Sequence, residues 1–240
     1  ARFGSALEGL TEGLSNTELK FGTVDEISRL VFDTCEMRDT IISLNRQLDE
    51  SQRKINQLRE DVDRARSDAL TDSLTGLTNR KGFDLALAKC LSAFGVSEKS
   101  PSMLIVDIDN FKLVNDKYGH LFGDKVLRAV ANTLMENVKG KDTAARFGGE
   151  EFVILLPETS IVGARSLAEN VRSLIEKKRI PRSEGNAEMV KVTASLGVAS
   201  YCAGESANEF IGRVDSALYE SKNHGRNLVT ISTKPAQAAL

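Results

Sequence analysis

Apolar residues in the first third of the chain recur at alternating intervals of three and four positions. Between Thr23 and Thr75 there is neither glycine nor proline, the two residues that most penalise a helix interior. This stretch therefore predicts one long helix. Two sets of positions at seven-residue spacing carry the pattern for about six heptads. They are Ile27, Thr34, Ile41, Leu48, Ile55, Val62 and Ala69 in the first set, and Leu30, Met37, Leu44, Ser51, Leu58 and Ala65 in the second.

The period of this pattern favours pairing with a second helix. A strict 3.5-residue repeat makes a narrow apolar seam that suits a partner helix. Isoleucine in the first set with leucine in the second favours a parallel dimer, although Thr34 and Ser51 weaken the seam. We expect a coiled-coil dimerisation helix over 23–70, preceded by a short helix or loop over 1–22. The alternative is a single amphipathic helix packed on a globular body.

The pattern changes after residue 70 to alternating strands and helices. Residues 103–107 form a short continuous apolar run, as expected for a strand buried on both faces. Gly148 and Gly149 lie between two β-prone runs and predict a two-residue hairpin, since glycine accepts the positive φ that such turns need. Strands are predicted over 103–107, 143–147, 151–156, 190–200 and 227–232, and helices over 81–95, 110–117, 122–137, 160–178 and 207–223. We expect one α/β domain over 71–232 and a disordered tail over 233–240.

Composition and charge narrow the class of protein. The net charge of −2 argues against a broadly basic surface for nucleic acid. No run of about 18 apolar residues occurs, so we expect no membrane span in this fragment. The three cysteines are widely spaced and predict neither a disulfide framework nor a zinc site. We expect a cytoplasmic protein, or the cytoplasmic portion of a larger one. The first residue is Ala1, which leaves room for an upstream sensor domain.

Two acidic segments carry candidate chemistry. In the segment 146–152, the two glycines are followed at once by Glu150 and Glu151; carboxylates at a hairpin tip can bind a hard cation. In the segment 106–116, the buried strand ends in Asp107, with Asp109 two residues further on at the start of a helix. Backbone N–H groups at such a helix start can receive phosphate. Each segment alone also fits an ordinary solvated hairpin or a capped turn. Together they match metal-assisted phosphoryl or nucleotidyl transfer.

Ordered blocks of sequence resemble the GGDEF family of diguanylate cyclases. Gly148-Gly149-Glu150-Glu151-Phe152 is the GGEEF variant of the motif that names the family. Three further blocks match in the right order, and a weaker one covers 195–199. The three are Asp72-Ser-Leu-Thr-Gly-Leu-Thr-Asn-Arg80, the segment 107–116, and Asp215-Ser-Ala-Leu-Tyr-Glu-Ser-Lys-Asn-His-Gly-Arg-Asn227. The resemblance implies a palm-like nucleotidyl cyclase domain, with a mostly antiparallel central sheet flanked by helices.

The resemblance also implies roles for individual residues. Asp107 and Glu150 match the principal Mg²⁺ ligands of the family, with the Ile108 carbonyl as a backbone ligand. Glu151 matches a second acidic position, either a metal ligand or an activator of the attacking 3′-hydroxyl. The implied cofactor is Mg²⁺ or Mn²⁺, two ions per half-site. Asn115 and Asp124 match the pair that reads guanine, and an Asp can accept from guanine N1–H and N2–H₂. The positions that match the triphosphate site are Phe111, Lys112, Lys222 and Arg226.

The segment before the hairpin departs from the family. Many members carry an Arg-x-x-Asp motif there, which binds cyclic di-GMP as an inhibitor. In this chain the aligned segment is Lys139-Gly-Lys-Asp142. Arginine stacks on a purine and forks to phosphate or guanine better than lysine does. The sequence therefore predicts weakened or absent product inhibition at this site.

These features predict a diguanylate cyclase that condenses two GTP molecules into cyclic di-GMP and two pyrophosphates. Each domain would bind one GTP, and the homodimer formed by the coiled coil would bring two half-sites together. The alternative is an inactive family member that binds GTP or cyclic di-GMP as a regulatory module. A protein that only dimerises through its helix would leave the acidic segments unexplained.

Overall fold

The structure, a computed structural model, describes residues 21–94, 100–182 and 189–232. Two compact units are distinguished, residues 1–63 and 64–240, and the long helix α1 (Phe21–Leu70) extends over 50 residues from the first into the second. Most of the predicted N-terminal segment and the whole predicted tail lie outside the described residues. Among the described residues, no helix combines the length and the apolar character needed to cross a membrane.

Helix α1 confirms the long uninterrupted helix that the sequence predicts. Eight large apolar residues of its heptad seam are between 42% and 68% exposed in the single chain. These are Leu30, Met37, Ile41, Leu44, Leu48, Ile55, Leu58 and Val62. Large apolar side chains at this exposure, aligned at heptad spacing, form a surface that burial against a partner would stabilise.

The second unit is built around a five-stranded sheet. Its elements after α1 are α2 (Arg80–Ala93), β1 (Ser102–Ile108), α3 (Phe111–Tyr118), α4 (His120–Asn137), β2 (Thr143–Arg146), β3 (Glu151–Leu156), α5 (Ile161–Lys177), β4 (Ile180–Pro181), β5 (Met189–Val190), β6 (Ala194–Ser200), α6 (Ala207–Asn223) and β7 (Val229–Ile231). The strand order is β2-β3-β1-β6-β7. All neighbours pair antiparallel except β6 and β7, which are parallel. This confirms the mostly antiparallel sheet flanked by helices. The strand predicted over 190–200 is in fact two strands, since β5 pairs with β4 in a separate ribbon.

Strand β1 lies at the centre of the sheet and is buried along its whole length. Successive side chains of a strand point to opposite faces, and both faces are covered by helices. Leu104 and Val106 belong to the cluster that includes residues of α4 and α5. Met103 and Ile105 belong to the cluster that includes residues of α2 and α6. By this alternation, Asp107 at the end of β1 faces the side of α6.

Helix α6 packs directly on the backbone of β6. A Cβ atom on Gly197 would lie 2.2 Å from the carbonyl oxygen of Val214 and 2.5 Å from the backbone nitrogen of Leu218. Any side chain at position 197 would therefore push the helix away from the sheet. This close approach brings the C-terminal turn of α6 to the edge of the sheet where β1 ends.

Candidate active site

Asp107 is a buried carboxylate with one cationic partner. Its Oδ2 lies 2.8 Å from Nζ of Lys222, in the last turn of α6, and the Asp107 side chain is only 5% exposed. Burial raises the pKa of Asp107, and the nearby charge of Asp109 raises it further, whereas Lys222 and Arg226 lower it. The net pKa is above its ordinary value, because burial disfavours the charged form more than Lys222 and Arg226 favour it.

The sheet register brings the hairpin carboxylates to the same level as Asp107. Glu151, the first residue of β3, pairs directly with Asp107 of β1. The backbone N–H of Ile108 donates to the carbonyl oxygen of Glu150 at 3.4 Å. Burial and the charges of Asp107 and Glu151 raise the pKa of Glu150, while Lys222 lowers it. The structure thus brings together Asp107, Glu150, Glu151 and Lys222.

The predicted two-residue hairpin is wrong in detail. Strand β2 ends at Arg146 and β3 begins at Glu151, so four residues form the turn. The N–H groups of Phe147 and Gly148 both donate to the Glu151 carbonyl oxygen, at 2.8 and 3.2 Å. Neither glycine of the turn has a positive φ. A Cβ atom on Gly148 would lie 2.6 Å from Oε2 of Glu151. Glycine at position 148 therefore gives the Glu151 carboxylate its present place beside the turn, and no left-handed backbone is involved.

The donor set at this edge fits a hard divalent cation. Asp107 and Glu150 both have a raised pKa, and the charge of Asp107 is one cause of the rise at Glu150. Carboxylate oxygens are ligands that suit Mg²⁺. Among the described residues, no three carboxylate, histidine or cysteine side chains converge closely enough to hold a metal ion. The Lys222 ammonium contacts Asp107 directly. A cation bound at Asp107 would therefore share this carboxylate with the ammonium or displace it.

Helix α3 begins three residues after the end of β1. Asn110 occupies its N-cap position with φ 55°, and its side chain makes no capping hydrogen bond. The first backbone N–H groups of the helix therefore have no side-chain cap. Phe111 is buried in the core, which leaves its backbone rather than its ring for a phosphate. Lys112 is exposed in the first turn.

Asn115 and Asp124 are held near one another by a tight helix-to-helix turn. Gly119, with φ 84°, joins α3 to α4, and its N–H donates to the Asn115 carbonyl oxygen at 2.8 Å. A Cβ atom on Gly123 would lie only 1.9 Å from Oδ1 of Asn115. The Asn115 amide therefore lies against the backbone of the residue that precedes Asp124. Both side chains are half-buried, so each can still reach a ligand.

Asp109 belongs to a network that sequence reasoning did not foresee. Its carboxylate accepts hydrogen bonds from Thr193 Oγ1 at 2.7 Å, Ser195 Oγ at 2.6 Å and the backbone N–H of Asn227 at 3.0 Å. Asn227 also accepts from Arg172 of α5 at 2.9 Å. The only signal in the sequence was an Asp beside a predicted strand end. Its partners lie 84 to 118 positions away, beyond the reach of local patterns.

A second unforeseen link joins the turn after α1 to the hairpin. The Arg146 guanidinium lies 3.3 Å from both carboxylate oxygens of Asp72. It also donates to the Gly149 carbonyl oxygen at 2.7 Å. Asp72 accepts in addition from the backbone and the hydroxyl of Thr75. The segment 72–80, the first of the blocks that resemble the GGDEF family, is thus tied to the hairpin that carries the acidic residues.

Lys139 and Asp142 form a closed turn on their own. The N–H of Asp142 donates to the Lys139 carbonyl oxygen at 3.1 Å, and the Asp142 carboxylate accepts from the N–H of Lys139 at 3.3 Å. Gly140 takes a φ of 61° within this turn. Burial and the charge of Glu158 raise the pKa of Asp142, against the lowering effect of the Lys139 hydrogen bond. Lys139 itself is exposed.

Comparison with known proteins identifies the family. A family model described as "Diguanylate cyclase, GGDEF domain" matches residues 69–228. Diguanylate cyclase VdcA of Vibrio cholerae is 41% identical over 203 residues, which cover 85% of this chain and 59% of that protein. The chain therefore spans less than two thirds of this curated relative.

Two solved structures extend the similarity into the N-terminal helix. The coiled coil and GGDEF domain of DgcB from Caulobacter crescentus, in complex with c-di-GMP, is 36% identical with a TM-score of 0.73. It covers 79% of this chain and 99% of that one. Diguanylate cyclase SiaD of Pseudomonas aeruginosa, in complex with its activator SiaC, is 28% identical with a TM-score of 0.63, covering 95% and 90%. The match over residues 69–228, together with these relatives, means that the chain belongs to the GGDEF family of diguanylate cyclases.

Proposed function

We propose that this chain is a diguanylate cyclase, which condenses two GTP molecules into cyclic di-GMP. The observation that carries the proposal is the buried Asp107 carboxylate, with Lys222 on one side and the hairpin carboxylates on the other. A group of carboxylates beside an ammonium suits metal-assisted phosphoryl transfer with a strongly anionic leaving group.

Each half of the reaction forms one bond and breaks one. The 3′-oxygen of one GTP attacks the α-phosphorus of the other, and the bond from that phosphorus to the bridging oxygen of the β-phosphate breaks. Pyrophosphate leaves with the bonding electrons, and the hydroxyl proton passes to a base. The second half repeats this with the roles of the nucleotides exchanged. Two phosphodiester bonds and two pyrophosphates result. Glu151 is the candidate proton acceptor if it does not ligate metal.

Asp107, Glu150, Glu151 and the Ile108 carbonyl would hold Mg²⁺, with two ions per half-site. When bound, the metal would neutralise charge on the phosphates. Lys222 would then leave Asp107 and turn to the triphosphate. Two groups support this role of the α6 end: the Lys222 ammonium, and Arg226, whose charge acts on Asp107. Cations there would stabilise the departing pyrophosphate.

The other end of the nucleotide would lie on the α3–α4 turn. Asp124 would accept from N1–H and N2–H₂ of guanine, and the Asn115 amide would both donate and accept. The backbone at Phe111 and the Lys112 side chain, both in the first turn of α3, would then meet the phosphates between the base and the metal. This assigns each predicted residue a distinct part of one GTP.

One domain provides half of the catalytic apparatus, so the active species is a homodimer. The exposed heptad seam of α1 supports dimerisation through a coiled coil. A shared stalk raises the effective concentration of the two domains, to the order of millimolar for short tethers. A change of register or rotation in the stalk could then gate the encounter of the half-sites. A monomer of full activity with 23–70 intact would contradict this arrangement.

The test is chromatography of nucleotides after purified protein is incubated with GTP and Mg²⁺. The matched control is the Glu150→Ala/Glu151→Ala double variant. We expect cyclic di-GMP and pyrophosphate from the parent and neither from the control. Tight binding of GTP without any product, at protein concentrations where dimers form, would refute the cyclase and favour the regulatory-module alternative. No binding of either nucleotide would refute both.

A further inference from the structure

The loop that follows α6 has an unusual backbone. Three consecutive residues have positive φ: Gly225 at 111°, Arg226 at 62° and Asn227 at 49°. Glycine adopts this region freely, but side-chain-bearing residues seldom do. Asn tolerates it better than Arg. The loop therefore needs contacts that hold it in this conformation, and strained backbone of this kind clusters at functional sites.

Hydrogen bonds anchor the loop at both ends. The N–H of Arg226 donates to the Ser221 carbonyl oxygen at 3.1 Å. Ser221 is itself buried and donates to the Leu196 carbonyl oxygen of β6 at 2.8 Å. One residue further on, the N–H of Asn227 donates to Asp109 at 3.0 Å. The backbone N–H of Arg226 is thus tied to the last turn of α6, and that of the next residue is tied to the residue that follows the end of β1.

Asp109 is suited to this task because it is buried and fully engaged. It is 6% exposed, and besides Asn227 it accepts from Thr193 and Ser195. Asp109 lies two residues after Asp107 on the same segment. The loop is therefore fixed beside the end of β1, the strand that carries Asp107, rather than beside a surface element.

The side chain of Asn227 makes a separate set of contacts. Its Oδ1 accepts from Nη1 of Arg172 at 2.9 Å, and its side chain also hydrogen bonds with Glu176. The Arg172 guanidinium is 20% exposed and pairs with Glu169 at 2.9 Å and Glu176 at 3.0 Å. These carboxylates orient the guanidinium, so Arg172 presents a fixed donor to Asn227.

We propose that Asn227 is a positioning residue for Arg226: Asp109 holds its backbone and Arg172 holds its side chain, so that Arg226 is kept in its left-handed conformation and available to the phosphates of GTP. This inference rests on the proposed function. Neither Asn227 nor Arg172 contacts the nucleotide in this scheme. Both act through Arg226, and the network is in place before the substrate arrives.

A double-mutant cycle between positions 226 and 227 tests the proposal. Calorimetry measures the affinity of the protein for 3′-deoxy-GTP in the presence of Mg²⁺. This nucleotide lacks the attacking hydroxyl and is therefore not consumed. We expect Asn227→Ala to weaken binding about tenfold, in the range of outer-shell partners of a metal site. In an Arg226→Ala background the same change should have almost no effect, because the group it positions is gone. Equal losses in both backgrounds would overturn the proposal.

Further variants separate the two anchors and guard against misfolding. Asn227→Gly retains the left-handed backbone and its N–H, so it should lose less affinity than Asn227→Ala. Arg172→Gln should weaken 3′-deoxy-GTP binding in the parent but not in the Arg226→Ala background. Arg165→Gln, an exposed change on the same helix, is the matched control and should have no effect. Guanosine has no phosphates. If these variants lose as much affinity for guanosine as for the triphosphate, a role through Arg226 is contradicted.

The cyclase proposal is tested separately in the same protein. If the parent protein binds 3′-deoxy-GTP but makes no cyclic di-GMP from GTP, the cyclase function is refuted. The double-mutant cycle still tests the positioning role in that case, because it measures binding alone. If the parent makes cyclic di-GMP but the affinity losses at positions 226 and 227 simply add, the cyclase function is supported and the positioning role is overturned.

Discussion

The ammonium group of Lys222 lies 2.8 Å from Oδ2 of Asp107, the carboxylate at the end of the central strand. In the absence of metal, this lysine neutralises the residue that is the leading candidate ligand. A cation at Asp107 and the ammonium would compete for the same carboxylate. Lys222 would thus have two successive partners, the carboxylate first and the phosphates afterwards.

Removal of the Lys222 charge should separate metal binding from catalysis. In Lys222→Met, the affinity for Mn²⁺ without nucleotide, measured by electron paramagnetic resonance, should rise about fivefold. This corresponds to the free energy of a partly exposed ion pair. Cyclase kcat should fall about 100-fold, as on loss of a preorganised charge. Lys177→Met, an exposed change at the end of α5, should alter neither. Weaker Mn²⁺ binding in Lys222→Met would contradict the competition.

The absence of a side chain at Gly123 should be needed for guanine binding, because it leaves room for the Asn115 amide. In Gly123→Ala the new Cβ would clash with Asn115 Oδ1, at 1.9 Å, so the amide must move away from the base. We expect KM for GTP to rise about tenfold, the equivalent of one lost hydrogen bond, with a smaller change in kcat. The control is Gly212→Ala at an exposed position of α6, where a Cβ meets nothing within 4 Å. It should raise the free energy of unfolding by about 0.5–1 kcal/mol and leave KM unchanged.

Two neighbouring isoleucines of α1 provide a matched test of the seam. Ile41 lies in the heptad seam and Ile42 does not, yet they are similarly exposed, at 52% and 58%. Ile41→Glu should shift sedimentation from dimer toward monomer and lower cyclase activity at micromolar protein, because the charge would be buried between helices. Ile42→Glu should leave both unchanged. Equal effects of the two variants would argue against this seam.

The contact between Asp72 and Arg146 should contribute to stability. Burial alone would raise the pKa of Asp72, but hydrogen bonds from Thr75 and the charge of Arg146 bring it below the ordinary 3.8. We expect Arg146→Ala to lower the free energy of unfolding in urea by about 1–2 kcal/mol. Arg38→Ala, which removes an exposed ion pair with Asp39, should change it by less than about 0.5 kcal/mol.

The lowered pKa of Asp72 also sets the direction of a pH effect. A carboxylate whose pKa is lower in the folded than in the unfolded protein stabilises the fold above the unfolded pKa. This contribution is lost as the pH falls through the folded pKa. The stability difference between the parent and Asp72→Asn should therefore be largest near neutral pH and shrink below about pH 4. A difference that grows in acid would contradict the assignment.

Product inhibition should be recoverable by one substitution. The Asp of the inhibitory motif is present at position 142, but Lys139 stands where many family members have arginine. We expect Lys139→Arg to strengthen inhibition by cyclic di-GMP about tenfold or more, since arginine both stacks and forks. Asp142→Ala in that background should abolish the gain. Strong inhibition in the parent that is unchanged by Asp142→Ala would exclude a role for this turn.

Local patterns in the sequence were sufficient for α1, the central strand and most of the other elements, although the strand predicted over 190–200 is two strands. A heptad repeat and the absence of glycine and proline are properties of neighbouring residues, and α1 follows from them directly. The same holds for β1, whose continuous apolar run required two covered faces. The hairpin shows the limit of this reasoning. Its position was predicted, but Gly148 has no positive φ and instead leaves space for the Glu151 carboxylate.

The amino-acid sequence by itself determined the helix, the alternating strands and helices, and the chemical types available to the site. Only the tertiary structure decided which of those groups meet. Asp109 contacts Asn227 across 118 positions and Arg172 contacts Asn227 across 55, and Arg146 contacts Asp72 across 74. Such contacts depend on the order and register of strands and on the close packing of α6 on Gly197. They arise from the burial of the whole sheet, whereas periodicity records only which face of each element will be buried.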